Sequence, residues 1–221
     1  MFKKFKILGI IPARSGSKRV PNKNIVEIKN KPLINWTIEE AKKSKYLDKI
    51  VLSTDSKKIA EHGKNLGIDV PFLRPKLYST DNSSSLLMID HALKKVKGFD
   101  YAVLLQPTSP LRIYQDIDES IKSCINSGSD SCVSVKELQN ENLCYVENKN
   151  GKLINLFKKR LEKKIFVLNG AIYMFKVSFF EKNKVLFSNK TIKYLMPIER
   201  SLDIDTKSDL EEFKLILSKL K

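Results

Sequence analysis

Apolar runs of strand length alternate along this chain with stretches whose apolar residues recur every three or four positions. Ile7-Leu8-Gly9-Ile10-Ile11 is an unbroken apolar run of the kind buried on both faces of a parallel sheet. Similar runs predict strands near 6–11, 49–54, 68–72, 101–105 and 131–137, separated by helical patterns from Pro32 to about Lys45 and over 56–66, 83–97 and 115–127. Pro32 suits a first helical turn, and Ile38, Ala41 and Leu47 keep one side of that helix apolar, with Trp36 read as core packing. Gly67 after Leu66 reads as a C-cap, and Ser83 as the start of a helix that turns Leu86, Leu87, Ile89, Ala92 and Leu93 inward. Such alternation requires a mostly parallel sheet with helices on both faces, a three-layer α/β architecture.

The pattern breaks after Lys136. Residues 137–164 are polar and charged, and an Asn148-Lys149-Asn150-Gly151 turn separates Leu143-Cys144-Tyr145-Val146 from Leu153-Ile154-Asn155-Leu156. This predicts a hairpin that leaves the main sheet and needs cover for its apolar face, for which a partner subunit is the expectation. The sheet resumes at Gly170–Phe175 and Ile192–Ile198, and a helix over 208–220 follows. With no repeat or linker in view, residues 1–221 are expected to form a single domain, with 137–168 as the excursion.

Composition narrows the function classes. With 42% apolar and 9% aromatic residues the chain is ordinary for a globular protein. The apolar run behind the basic N-terminus ends at Pro12, too short for a signal core or a membrane span, so a cytoplasmic location and no membrane partner are expected. Cys124, Cys132 and Cys144 are odd in number and lack a C-x-x-C spacing, which predicts reduced thiols. His62 and His91 stand singly, and no serine-nucleophile signature is present. A net charge of +16 raises the possibility of a basic RNA-binding module, but the lysines are spread over every segment without a nucleic-acid motif, so no nucleic-acid partner is expected. Of 41 cationic residues only six are arginine: Arg14, Arg19, Arg74, Arg112, Arg160 and Arg200. Where lysine is the default cation, each arginine becomes a candidate for bidentate work on phosphate or carboxylate.

Three loops carry candidate chemistry. Pro12-Ala13-Arg14-Ser15-Gly16-Ser17-Lys18-Arg19-Val20-Pro21-Asn22-Lys23-Asn24 follows the first strand, so it leaves the sheet edge where α/β proteins bind ligands. Its serines, glycine and four cations read as a phosphate site without the Walker A or G-x-G-x-x-G spacing; the plain alternative is a solvated basic turn. Leu104-Leu105-Gln106-Pro107-Thr108-Ser109-Pro110 follows another buried strand and should emerge at the same edge, offering Gln106 to a hydroxylated ligand. Leu73-Arg74-Pro75 with Ser79 to Ser85 forms a third edge loop, read as both a helix cap and a ligand wall. In Ser201-Leu202-Asp203-Ile204-Asp205-Thr206 the two carboxylates stand at i and i+2, about 6–7 Å apart on one side of an extended chain and able to serve one Mg²⁺. N-capping of the next helix by Asp205 or Thr206 is the competing role.

In this order, I-P-A-R-S-G-S-K with P-N-K-N, V-L-S-T-D, L-R-P, L-L-Q-P-T-S-P-L-R, N-G-A-I-Y and D-I-D-T, the chain resembles the N-acylneuraminate cytidylyltransferases over nearly its whole length. The resemblance implies a Rossmann-like nucleotidyltransferase fold, Mg²⁺ dependence, a homodimer, and transfer of CMP from CTP to a nine-carbon α-keto acid sugar. It implies that Arg14, Ser17, Lys18, Lys23 and Asn24 serve the CTP phosphates and ribose, with Arg14, Lys23 and Asp205 as the catalytic set. It further implies Arg74, Ser83 and Ser85 at the cytidine, Gln106, Arg160, Asn169 and Tyr173 at the sugar, and Asp203 with Asp205 as metal ligands. By the same resemblance, residues 137–168 serve dimerisation and the sugar site. Ser17-Lys18-Arg19 is similar to the pseudaminate enzymes, whereas Leu168-Asn169-Gly170-Ala171-Ile172-Tyr173 is closer to the legionaminate branch. The sugar is therefore expected to be N-acetylneuraminate or a legionaminate type, with pseudaminate and the eight-carbon Kdo as alternatives.

Overall fold

A computed structural model describes residues 2–80, 83–139, 144–147, 149–156 and 164–219. Its main sheet has six strands: β1 (Ile7–Pro12), β4 (Lys49–Ser53), β5 (Tyr101–Leu105), β6 (Ser131–Glu137), β9 (Phe166–Lys176) and β10 (Thr191–Leu195), in the order β10-β6-β9-β5-β1-β4. β1 pairs parallel with β4 and β5, and β10 pairs parallel with β6. β9 runs antiparallel between β5 and β6. The mostly parallel sheet expected from the strand–helix alternation is therefore present, with one reversed strand in its middle.

Alternation along β1 divides the core. Ile7 and Ile11 face a cluster built on α1 (Leu33–Lys43), α2 (Lys57–Asn65) and α4 (Tyr114–Asn126). Leu8 and Ile10 face a second cluster, built on α3 (Ser85–Lys95) and α5 (Val177–Asn183). With both faces covered, every residue from Ile7 to Ile11 is fully buried, which is why the run reads as continuously apolar. A third cluster closes one end: α6 (Lys207–Lys219) sets Leu210, Phe213 and Leu217 against Val20, Ile28 and Leu33, with Trp36 edge-on to Phe213 at 5.3 Å.

Several expectations shift. Residues 68–72 form no named strand; Asp69 and Leu73 make only single bridges to Val51 and Thr54. The helix expected from Ser83 begins at Ser85, because the hydroxyl of Ser84 accepts the amide of Leu86 and caps it. Two elements are additional: α5, and a small hairpin of β2 (Glu27–Ile28) and β3 (Lys31–Pro32) whose turn residues Lys29 and Asn30 have positive φ. Lysine at such a position gives no turn signal. The excursion hairpin is present as β7 (Tyr145–Glu147) against β8 (Leu153–Asn155), although Leu143 and Asn148 lie outside the described residues. Tyr145, Val146, Leu153 and Ile154 on it are exposed. Among the described residues no helix is long and apolar enough to cross a membrane.

Candidate active site

At the carboxyl ends of β1 and β5 lies a cleft of about 580 Å³, within the range of ligand pockets. The loop after β1 forms one wall and is tightly held. The Ala13 amide donates to the Ser53 carbonyl, the Ser15 amide and hydroxyl both donate to Asp55 at 2.8 and 2.7 Å, and the buried Asn24 amide donates to the Arg14 carbonyl at 2.9 Å. Asn22 turns the chain in the left-handed region at φ 53°, which asparagine tolerates, and delivers Lys23 toward the cleft. With its backbone fixed and Val20 buried as an anchor, the loop lines the cleft with Arg14, Ser17, Lys18, Arg19, Lys23 and Asn24.

A second wall comes from 74–88. Arg74 is only 6% exposed, held by its backbone amide on the Thr54 carbonyl at 2.7 Å, yet its Nε and Nη2 have no hydrogen-bond partner. Burial pushes this guanidinium down to about 10, against the pull of Asp55, and Arg14 pushes the same way. Leaving two buried N–H groups unpaired is costly, and Arg74 is at the same time a lining residue of the cleft. Thr80, Ser83, Ser84 and Ser85 continue this wall; Ser83 Oγ is 2.6 Å from both the Leu77 carbonyl and Thr80 Oγ1. Here the first amides of α3 also lie beside the cleft, favouring negative charge.

The acidic wall is set by Ile204. Its side chain is fully buried in the third core cluster and its amide donates to the Thr108 carbonyl at 2.7 Å, so alternation turns Asp203 and Asp205 the other way, into the cleft. Capping of α6 is done by Thr206 and Asp209 instead: Asp209 accepts the Asp205 and Thr206 amides at 2.8 and 2.7 Å, and Thr206 accepts the Asp209 amide. Asp205 is thereby left for the cleft, where Lys23 Nζ stands 3.0 Å from Oδ1 and Arg19 Nη2 3.1 Å from Oδ2. Solvent reaches Asp203 from the cleft, but the protein packed around it raises its carboxyl above the ordinary aspartate value; the Thr108 side chain opposes this and the Asp205 charge adds to it. Among the described residues no three or more His, Cys, Asp or Glu side chains cluster to hold a metal.

The residues expected at the sugar divide. Gln106 lines the cleft. Tyr173 is half-buried on β9 close enough to Asp203 for that carboxylate, after burial, to raise its phenol. Arg160 lies outside the described residues. Asn169 is 3% exposed and outside the cleft lining, with its amide engaged inside the fold. Its Oδ1 accepts the Ser134 hydroxyl at 2.6 Å and the Ala171 amide at 3.2 Å, and its Nδ2 donates to Ser201 Oγ at 2.9 Å. The reason is a bulge. Between the pairs Val133–Tyr173 and Val135–Leu168, β6 has Ser134 alone where β9 has Asn169 to Ile172. Asn169 replaces the ladder bonds that the bulge removes.

Two arginines also serve the frame. Arg112, 1% exposed, donates to the carbonyls of Ala171 at 2.9 Å and Gln106 at 3.2 Å and to Thr37 Oγ1 at 2.8 Å, tying the Gln106 loop to the bulge. Burial lowers it to about 10, with Asp116 and Glu40 opposing. Arg200 makes a two-pronged pair with the buried Asp116 at 3.0 and 2.7 Å, three residues before Asp203. Asp55, Asp116 and Gly170 received no role from the sequence, because their partners Ser15, Arg200 and Asp203 lie 40, 84 and 33 positions away.

A family profile described as cytidylyltransferase matches residues 8–218. The chain is 37% identical to a CMP-N,N'-diacetyllegionaminic acid synthase of Legionella pneumophila, over 92% of this chain and 93% of that one. It is 33% identical to an N-acylneuraminate cytidylyltransferase of Escherichia coli, over 93% of this chain but 51% of that protein, so it spans about half the length of that relative. In fold it is similar to CMP:2-keto-3-deoxy-manno-octonic acid synthetase complexed with CTP, with a TM-score of 0.77 at 17% identity, covering 98% and 100% of the two chains. A basic loop and a loop with paired aspartates facing each other across the end of a mostly parallel sheet, and a profile match from the first strand to the last helix, lead to one conclusion: the chain belongs to the cytidylyltransferase family.

Proposed function

We propose that this cytidylyltransferase transfers CMP from CTP to a nine-carbon α-keto acid sugar of the N-acetylneuraminate or legionaminate type, releasing pyrophosphate. The observation that carries the reading is a single cleft with cations and an unsatisfied buried guanidinium on two walls and two carboxylates on the third. Arg14, Ser17, Lys18 and Asn24 hold the triphosphate and ribose; Arg74, Ser83 and Ser85 hold the base, its carbonyl accepting from Arg74. The sugar lies beyond Gln106 and near Tyr173, and Arg160 meets its carboxylate. In-line attack by the sugar hydroxyl on the α-phosphorus places growing charge on the leaving pyrophosphate, where Arg14 and Lys23 stabilise it. Asp203 and Asp205 supply hard oxygen donors facing the cleft and would hold a Mg²⁺ there. Such an ion would supply Lewis-acid polarisation of the α-phosphoryl group.

A homodimer is part of this reading, with the exposed Tyr145, Val146, Leu153 and Ile154 of the excursion covered by the second copy. The reaction belongs in the cytoplasm. The test is pyrophosphate release with CTP against a panel of α-keto acid sugars. Turnover with N-acetylneuraminate or legionaminate, and a higher sugar KM with little change for CTP in Arg160→Ala, are the expected results. Preference for pseudaminate or Kdo moves the specificity to a sister enzyme, and no release with any sugar overturns the reading.

A further inference from the structure

Each carboxylate oxygen of Asp205 carries a different cation, and the two are held differently. Lys23 is fixed: 13% exposed, its ammonium donates to the Ile204 carbonyl at 2.8 Å as well as to Oδ1. Arg19 is loose. Its side chain is 66% exposed, and among the described residues Asp205 Oδ2 is its one ion-pair partner. Arg19 nevertheless lines the same cleft as Arg14 and Lys18.

We infer that Arg19 is a displaceable counter-ion, which occupies Asp205 Oδ2 until a triphosphate draws it away and so couples nucleotide binding to divalent-cation binding at the aspartate pair. The inference rests on the proposed reading of that pair as the metal site. Arginine and a divalent cation compete for the same oxygen. An exposed ion pair is weak enough to open at little cost, whereas a phosphate offers arginine a charge-assisted, two-pronged alternative. Lys23 stays on Oδ1, so the carboxylate keeps its place when Arg19 leaves. Linkage makes the effect reciprocal: whatever removes Arg19 from Asp205 raises the affinity of that oxygen for a cation. Arg19 is on this account a positioning residue.

The experiment measures Mn²⁺ binding without nucleotide, by electron paramagnetic resonance, and CTP binding in EDTA, by calorimetry, for wild type, Arg19→Ala, Lys207→Ala and Asp205→Asn. Lys207 provides the same charge change two residues from Asp205 but forms no ion pair among the described residues. Arg19→Ala is expected to tighten Mn²⁺ roughly two- to fivefold, the range of an exposed ion pair, and to weaken CTP, with Lys207→Ala changing each less. Unchanged or weaker Mn²⁺ binding in Arg19→Ala, unchanged CTP binding, or an equal effect of Lys207→Ala overturns the inference while Asp205→Asn still abolishes Mn²⁺ binding. If Asp205→Asn binds Mn²⁺ as wild type does, the metal-site reading itself fails, and the inference with it.

Discussion

Gly170 packs its bare α-carbon against the carboxylate of Asp203: a β-carbon there would come within 3.0 Å of Oδ2 and 3.4 Å of Cγ. The backbone at Gly170 is also in the left-handed region, at φ 76°. Two independent constraints thus require glycine at the point where the β9 bulge supports one of the two cleft carboxylates.

Gly170→Ala should therefore cost more than its backbone strain. The positive φ alone destabilises by about 1 kcal/mol, and the methyl group must also push Asp203 aside. Denaturation should report the first effect, and a drop in kcat beyond what the folded fraction explains should report the second. Wild-type kcat in the folded fraction would show that Asp203 tolerates displacement.

Arg74→Met should separate stability from binding. The guanidinium is buried with Nε and Nη2 unpaired, so an apolar chain of similar length relieves the fold of a desolvated charge. Melting temperature should hold or rise, while kcat/KM for CTP falls by about 1–3 kcal/mol because the acceptor loses its charged donor. A variant that loses stability but keeps its KM for CTP would place Arg74 in the frame and not at the ligand.

How far the sequence discloses the molecule follows from the range of the contacts involved. β5 is legible to the residue as 101–105, because burial on both faces leaves an unbroken apolar run, and β6 as 131–137 through its apolar Cys132, Val133 and Val135 between small serines. The cleft-lining sides of Arg14, Lys23, Asp203 and Asp205 are legible too, since a strand's carboxyl end and the alternation around Ile204 are local properties. The buried bonding of Asn169 is not legible, for the opposite reason: its partners Ser134 and Ser201 lie 35 and 32 positions away, and a buried bulge gives no local signal. Arg200 does the bidentate carboxylate work expected of a scarce arginine, on Asp116, and Arg112 binds backbone carbonyls instead; scarcity marks a demanding contact without saying whether a ligand or the protein makes it.

Asn169→Ala should behave as a core lesion. It removes the acceptor of the Ala171 amide and one partner each of Ser134 and Ser201, which keep Ile172 and Pro197, so one buried group goes unpaired, a loss on the order of 1–3 kcal/mol. Chemical denaturation should show this loss. A selective rise in sugar KM with unchanged stability would return Asn169 to the substrate.

Asp203→Asn should raise stability at neutral pH. The carboxyl is held above its ordinary value first by the protein packed around it, although solvent reaches it from the cleft, so its charged form is mildly disfavoured in the folded protein. For an acid raised on folding, the penalty is full above the folded pKa and vanishes below the unfolded one. The stabilising effect of the neutral amide should accordingly be present at pH 7 and fade as pH falls through the window between those two values. Denaturation midpoints of both proteins between pH 3 and pH 8 check this, the range spanning the ordinary aspartate pKa of about 3.9. A constant difference across the range would mean that the Asp203 charge carries no folding cost.

Asp205→Asn tests the acidic wall most directly. The loop around Asp205 is pinned by groups the substitution does not touch: the Ile204 side chain in the third core cluster, its amide on Thr108, and the Asp209 carboxylate on the Asp205 and Thr206 amides. Folding should therefore be nearly unchanged, since the lost pairs with Arg19 and Lys23 are with a carboxylate that is itself half-exposed. Turnover should fall on the order of 10²-fold or more, because an amide is a poor ligand for Mg²⁺ and cannot balance the cations that the loop presents to a triphosphate. Rates measured across Mg²⁺ concentrations decide the matter: a loss that excess Mg²⁺ partly restores assigns Asp205 to cation binding, and wild-type rates throughout would remove it from the reaction.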